Sequence, residues 1–137
     1  MQLKRVVVTG LGALTPIGNN IEEYWDALVN GKSGSAPITY YDTEKFKVKF
    51  ACELKNYKTE DHFDRKEGRK LDRFAQYALV SSDEAIRDSK LDLEKIDKFR
   101  VGVIWGAGIG GLETFQNEVM NFANGDGTPR FNPFFIP

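Results

Sequence analysis

The feature that most constrains the fold is a short apolar segment followed at once by a glycine-rich turn, and it occurs twice. Val6–Val8 lead into Thr9–Gly12, and Val101–Ile104 lead into Gly106–Gly111. An apolar, β-branched segment without polar alternation is typical of a strand buried on both faces of an α/β sheet. The sequence therefore predicts two central strands of a largely parallel sheet.

Helical patterns follow the first of these strands. Asn20 stands three residues before Glu23, a capping-box-like spacing with Asn in place of Ser or Thr, and Gly31 is placed to end a helix. The apolar face of this predicted helix consists of Ile21, Tyr24, Trp25 and Leu28.

A half-buried strand and two further helices are predicted later in the chain. Apolar and polar residues alternate from Phe46 to Leu54, with Cys52 on the apolar side. A second predicted helix, with the widest apolar stripe, contains Leu71, Phe74, Ala75, Ala78, Leu79, Ala85 and Ile86. The third, after Gly111, has Leu112, Phe115, Val119 and Phe122 on one face. Strands that alternate with helices indicate an α/β layered fold.

Composition excludes several classes of protein. The 137 residues are 41% hydrophobic, which is enough for one domain core. Nineteen basic and twenty acidic residues give a net charge of −1, so no overall field attracts nucleic acid or an anionic membrane. No apolar stretch is long enough to cross a bilayer. Cys52 is the single cysteine, which excludes an intrachain disulfide and agrees with a cytoplasmic location.

The glycine loops raise the alternative of a Rossmann-type dinucleotide-binding oxidoreductase domain. Gly106, Gly108 and Gly111 satisfy G-x-G-x-x-G between a predicted strand and a predicted helix. The acidic residue expected about 20 positions later has no clear counterpart, because that region offers only a loop around Asp126. In the first loop, Pro16 restricts the preceding residue where a Rossmann helix would already have begun. Glycines for tight turns and close packing are the simpler interpretation.

A basic cluster is the clearest local charge feature. On a continuous helix, the spacing of i, i+3, i+4 and i+7 would form one basic ridge from Lys66, Arg69, Lys70 and Arg73. A solvated charged face is one interpretation. Like charges at these spacings repel, however, so an anionic partner that docks there would explain the clustering.

Four blocks of the sequence, in order, resemble β-ketoacyl-acyl-carrier-protein synthases of the elongating type. Together they cover essentially the whole chain. The blocks are Val6–Gly18 with Trp25 and Gly31–Gly34, then Arg65–Phe74, Gly106–Gly111 and Pro133–Pro137.

This resemblance implies a thiolase-like layered α-β-α-β-α fold, of which residues 1–137 would form only part of the first half. It implies a decarboxylative Claisen condensation without a cofactor or a metal. The nucleophilic cysteine and two histidines of the family are expected beyond Pro137, so the chain alone should be inactive. Cys52 has no partner histidine within sequence reach, and the lone His62 is expected at the surface or at a cap.

The resemblance also implies two sites and two partners. An acyl pocket would involve Gly108, Ile109, Phe134 and Phe135. Acidic acyl carrier protein, loaded with acyl or malonyl groups, would contact Arg65, Lys66, Arg69, Lys70 and Arg130. Phe131 stands where a second basic residue was expected beside Arg130. The full protein is expected to be a homodimer, with a non-catalytic carrier-binding or chain-length partner of a polyketide-type synthase as an alternative.

Overall fold

The computed structural model describes residues 3–135. The helices are α1 (Ile21–Val29), α2 (Arg65–Gly68), α3 (Arg73–Asp88) and α4 (Leu112–Ala123), with 3₁₀ turns at Thr59–Asp61 and Lys98–Arg100. Strands β1 (Ala36–Pro37) and β2 (Phe50–Ala51) pair antiparallel, with Ala36 opposite Ala51 and Pro37 opposite Phe50. The described residues divide into two units, one within Met1–Tyr57 and Val80–Lys98, the other within Lys58–Leu79 and Phe99–Pro137.

The predicted first helix is confirmed as α1, and its ends are formed by the expected residues. The Asn20 side chain accepts a hydrogen bond from the Glu23 N–H at 2.8 Å. The Glu23 carboxylate accepts from the Asn19 N–H, also at 2.8 Å. At the other end, Gly31 has a φ of 63° and donates to the Leu28 carbonyl at 3.1 Å. This left-handed turn is a common helix ending, and glycine adopts it without steric cost.

In the first unit, two carboxylates of α3 hold the N-terminal segment. The two oxygens of Glu84 accept from the N–H groups of Ala13 and Ile21, each at 2.8 Å. Asp88 accepts from the Leu11 N–H at 2.8 Å. The Ile21 N–H is the first of α1 and has no partner within its own helix. These bonds therefore fix both the glycine loop and the start of α1.

The two predicted central strands are wrong in this structure. Val6–Val8 and Val101–Ile104 have no regular secondary structure, and Val6 is 89% exposed and Ile104 99% exposed. A strand exists only through hydrogen bonds to a neighbour. Within residues 3–135, the β1–β2 pair is the only sheet, and it contains neither of these two segments.

The predicted strand from Phe46 to Leu54 is reduced to β2. Its expected apolar side faces solvent, because Phe46, Val48 and Cys52 are all exposed. The expectation that Cys52 lies on a covered side is therefore also wrong, because no other element of residues 3–135 packs over this side of the segment. His62 is exposed and follows the first 3₁₀ turn, as predicted.

The remaining helices agree with the sequence pattern. The long predicted helix corresponds to α3, although the helix begins at Arg73 rather than Leu71, and the last one corresponds to α4. Through residues 3–135, the helices are too short or too polar to cross a membrane. Among the described residues, Ala27 is the one apolar side chain that is buried. The buried polar side chains are those of Gln76 and Ser81.

Candidate functional site

The basic cluster of the second unit is not the single helical ridge that its spacing predicted. Lys66 lies on α2, which ends at Gly68, and Arg73 is the first residue of α3. The two residues between them that belong to the cluster, Arg69 and Lys70, lie in the connection. Helix α3 begins directly after Asp72, whose carbonyl accepts the first hydrogen bonds from N–H groups of the helix.

Asp64 caps the N-terminal end of α2, the helix that carries Lys66. Its carboxylate accepts from the N–H groups of Lys66 at 2.7 Å and Glu67 at 2.8 Å. The backbone hydrogen bond from Glu67, then that from Lys66 and finally the positive charge of Lys70 lower the pKa of Asp64 below its ordinary value. The carboxylate is therefore a stable anionic cap at neutral pH.

Three of the cations line a common groove with the C-terminal segment. This groove, called here the basic groove, has a volume of about 540 Å³. Its lining residues are Lys66, Arg69, Lys70, Asn132, Pro133 and Phe134. The groove can attract an anionic partner, because all three of its charged side chains are cationic.

An apolar cavity of about 260 Å³ shares Arg69, Lys70, Asn132 and Phe134 with the basic groove. Its other lining residues are Leu71, Asp72, Phe74, Ala75, Gly111, Thr114 and Phe135. The Lys70 ammonium lies 5.3 Å from the centre of the Phe134 ring, a distance suited to a cation–π contact. The two cavities therefore share residues that the sequence had assigned to different sites.

The turn that carries Phe134 and Phe135 is held by α4. Its Asn132 N–H donates to the Glu118 carboxylate at 2.9 Å, and the Asn132 side chain accepts from the Phe134 N–H at 3.0 Å. The Phe135 ring stacks on Phe115 of α4, with ring centres 6.0 Å apart. Ile136 and Pro137, which completed the predicted block, lie outside the described residues.

Not every predicted site residue joins this group. Arg130 lies near Asp126, with 3.2 Å between the guanidinium and the carboxylate, and its side chain lines neither cavity. Arg65 lines a separate cavity of about 480 Å³, to which Arg69 also contributes. Gly108 and Ile109 line none of these three cavities, and Ile109 is 79% exposed. Their roles stay predictions.

Sequence reasoning missed three contacts around the groove. Asp72 accepts a hydrogen bond from the Thr114 hydroxyl, which ties the start of α3 to α4. Arg73 forms an ion pair with Glu113 at 3.2 Å in the same place. Gln76 is buried and bonds across the α2–α3 connection. An Asp before an apolar helix and a Gln inside an apolar stripe were the available signals.

In the first glycine loop, two backbone N–H groups are already hydrogen-bonded and are not available to a phosphate. Leu11 and Ala13 donate to the carboxylates of Asp88 and Glu84. A bound pyrophosphate would have to displace or face these two negative charges. The geometry therefore disfavours a dinucleotide at this loop.

Comparison with known proteins decides the family. The family described as "Beta-ketoacyl synthase, N-terminal domain" matches residues 3–136. The chain belongs to the β-ketoacyl synthase family. It is 47% identical to 3-oxoacyl-[acyl-carrier-protein] synthase 2 of Staphylococcus aureus (strain COL) over 136 residues, which is 99% of this chain and 33% of that protein. The corresponding Synechocystis protein is 40% identical and is likewise matched over 33% of its length. The chain thus spans about a third of these curated relatives.

Solved ketosynthases share the fold of this chain. A β-ketoacyl synthase from Burkholderia phymatum STM815 has a TM-score of 0.73 at 26% identity, over 98% of this chain and 33% of that one. A chain in the solved complex of a type II PKS acyl-carrier protein with its ketosynthase has a TM-score of 0.72 at 26% identity, over 93% of this chain and 34% of that one. These neighbours have the thiolase fold, so the predicted fold class is confirmed, although its central strands are not formed here.

Proposed function

We propose that this chain is the N-terminal part of a 3-oxoacyl-[acyl-carrier-protein] synthase of fatty-acid biosynthesis. The complete enzyme would transfer an acyl chain from its carrier to a cysteine thiolate. Malonyl-carrier protein would then lose carbon dioxide, and the resulting carbanion would attack the acyl thioester to give the 3-oxoacyl-carrier and release the thiolate. The proposal is supported by the family match over residues 3–136 and by the 47% identity to a synthase 2.

The observation that carries the proposal is the basic groove. Its cations, Lys66, Arg69 and Lys70, line the groove together with Phe134, although they do not lie on one helix. An acidic carrier protein could bind the cations while its acyl group enters beside the aromatic ring. A related ketosynthase is known in complex with its acyl-carrier protein, which supports this class of partner.

The acyl pocket is assigned to the apolar cavity and the second glycine loop. Phe134 and Phe135 line the cavity. Ile109 would gate the pocket from the loop, where Gly108 leaves room for a close approach of ligand or backbone. The nucleophilic cysteine and both histidines are assigned to the part of the synthase that follows Pro137.

Exposed apolar surface is consistent with burial against further structure. The chain exposes 11791 Å², whereas a folded monomer of 15.5 kDa exposes about 7,200 Å² by the usual scaling with mass. The exposed side chains include Val6, Val103 and Ile104 of the two segments that were predicted as central strands. In the complete synthase these segments would gain strand partners. We also expect a cytoplasmic homodimer.

Charge reversal in the complete protein tests the carrier-binding assignment. Lys66→Glu combined with Arg69→Glu should weaken the binding of acyl carrier protein by about tenfold or more at low salt, and flatten its salt dependence. The matched control is Lys45→Glu with Lys47→Glu, an equal charge change at exposed residues of the first unit. Equal affinities of the wild type and the Lys66/Arg69 variant would reject the assignment.

A second candidate is the non-catalytic chain-length partner, because one structural neighbour is the ishigamide ketosynthase/chain length factor, with 27% identity and a TM-score of 0.71. Incubation of the complete protein with acyl- and malonyl-carrier separates the two. A synthase forms 3-oxoacyl-carrier by itself, and a chain-length partner does so only when a catalytic ketosynthase is added. Titration of the complete protein with NADPH tests the oxidoreductase alternative. We expect that NADPH does not bind.

A further inference from the structure

Gln76 is a buried carboxamide on the face of α3 that lies against the basic cluster. It is 5% exposed. Its amide nitrogen donates to the carbonyls of Gly68 at 3.0 Å and Leu71 at 2.9 Å. Its amide oxygen accepts from the Thr59 hydroxyl at 2.9 Å. Burial of a primary amide is unfavourable unless its hydrogen bonds are satisfied, and here both ends of the amide are bonded.

These bonds join three backbone segments of the second unit. Gly68 is the last residue of α2, Leu71 lies in the connection to α3, and Thr59 opens the first 3₁₀ turn. The two carbonyls lie at and just beyond a helix end, where the helix itself supplies no donors. A side chain from α3 supplies them instead, so the α2–α3 connection has a defined geometry rather than a frayed one.

Close packing at Gly68 makes the same arrangement specific. A Cβ atom at this position would lie 2.5 Å from the Thr59 methyl carbon, so α2 and the 3₁₀ turn approach as closely as glycine permits. The Gln76 amide bonds to both sides of this contact. The position of α2 is therefore set by the Gln76 hydrogen bonds, called here the bracket, and by the close contact between Gly68 and Thr59.

The bracket spans the residues of the basic groove. Arg69 and Lys70 lie between the two carbonyls that Gln76 binds, and Lys66 lies two residues before the first of them. We propose that Gln76 is a positioning residue for carrier binding, which presents these three cations as one surface beside Phe134. This inference rests on the proposed function and adds a residue that would contact neither the carrier nor the acyl chain.

The test compares two substrates of the complete protein, an acyl-carrier and the same acyl group on pantetheine, which lacks the carrier protein. Gln76→Met keeps the length of the side chain and removes the amide. We expect kcat/KM to fall about tenfold for the acyl-carrier, mainly through KM, and to change less than about twofold for the acyl-pantetheine. The matched control is Gln116→Met on α4, the same change at an exposed glutamine of the same unit, which should alter neither value.

An equal loss with both substrates would mean that Gln76 serves only stability, and no loss with either would mean that the bracket does not matter. Both results overturn the inference. If Gln76→Met does not fold, Thr59→Val removes the hydrogen bond to the Gln76 amide oxygen with little change of shape, and it should raise KM for the acyl-carrier about twofold; an unchanged KM would overturn the inference. Failure of the proposed carrier binding is detected separately, because the Lys66/Arg69 charge reversal would then leave the affinity for the carrier unchanged.

Discussion

Removal of the Glu84 carboxylate should take away the hydrogen-bond acceptors of two backbone amides in the N-terminal segment and so destabilise that segment. Its two oxygens bind the N–H groups of Ala13 and Ile21 at 2.8 Å, and the side chain is half-buried. Hydrogen bonds to a charged group contribute roughly 1.5–3 kcal/mol each, and partial exposure favours the lower value. We therefore expect Glu84→Ala to lower the free energy of unfolding by about 3 kcal/mol, and Glu84→Gln, which keeps one acceptor oxygen, by about half of that.

Hydrogen exchange followed by mass spectrometry reads this effect at the amides themselves. A loss of about 1.5 kcal/mol at each amide corresponds to about tenfold faster exchange in peptides that contain Ala13 and Ile21. Glu22→Ala is the control, because Glu22 is an exposed residue in the first turn of α1. Unchanged exchange of both peptides in Glu84→Ala would refute the bridging role.

Three further outcomes are expected. Gly12→Ala should lower the melting temperature by several degrees or prevent folding, because its Cβ would lie 2.0 Å from the Ser81 carbonyl oxygen, whereas Gly106→Ala, with no described atom within 4 Å, should be tolerated. The lowered pKa of Asp64 means that its contribution to stability is complete above its ordinary value of 3.8 and is lost as the pH falls through the folded value; the difference in unfolding free energy between wild type and Asp64→Asn should therefore vanish in acid, and a difference that persists there would contradict this cause. Ile109→Phe should shorten the acyl chains accepted by the complete enzyme, as measured by product chain length, and an unmoved preference would reject the gate.

The sequence predicted well those parts of the fold that depend on local interactions, such as the helices and their ends. Asn20 and Gly31 bound α1 because capping depends on side chains and backbone angles within a few residues. The apolar spacing after Gly111 likewise predicted α4. Val6–Val8 failed because strand formation depends on a distant partner, which an apolar sequence can favour but cannot supply.

The site was predicted in its charges but not in its geometry. The spacing of Lys66, Arg69 and Lys70 indicated a cluster, yet α2 ends at Gly68, so the continuous ridge did not form. The bracket from Gln76 could not be foreseen, because its partners are backbone carbonyls whose availability depends on where α2 ends. A buried Gln within an apolar stripe was the one hint, and it identifies neither bonding partner.

A condensation assay on the complete protein tests most directly whether it is a 3-oxoacyl-carrier synthase. Acyl-carrier and malonyl-carrier would be incubated without any other ketosynthase, and the carriers would be analysed by intact-mass spectrometry together with released carbon dioxide. We expect a 3-oxoacyl-carrier whose acyl group is two carbons longer than the starting one, with one carbon dioxide released for each product. Intact acyl- and malonyl-carrier after prolonged incubation of folded protein would contradict it.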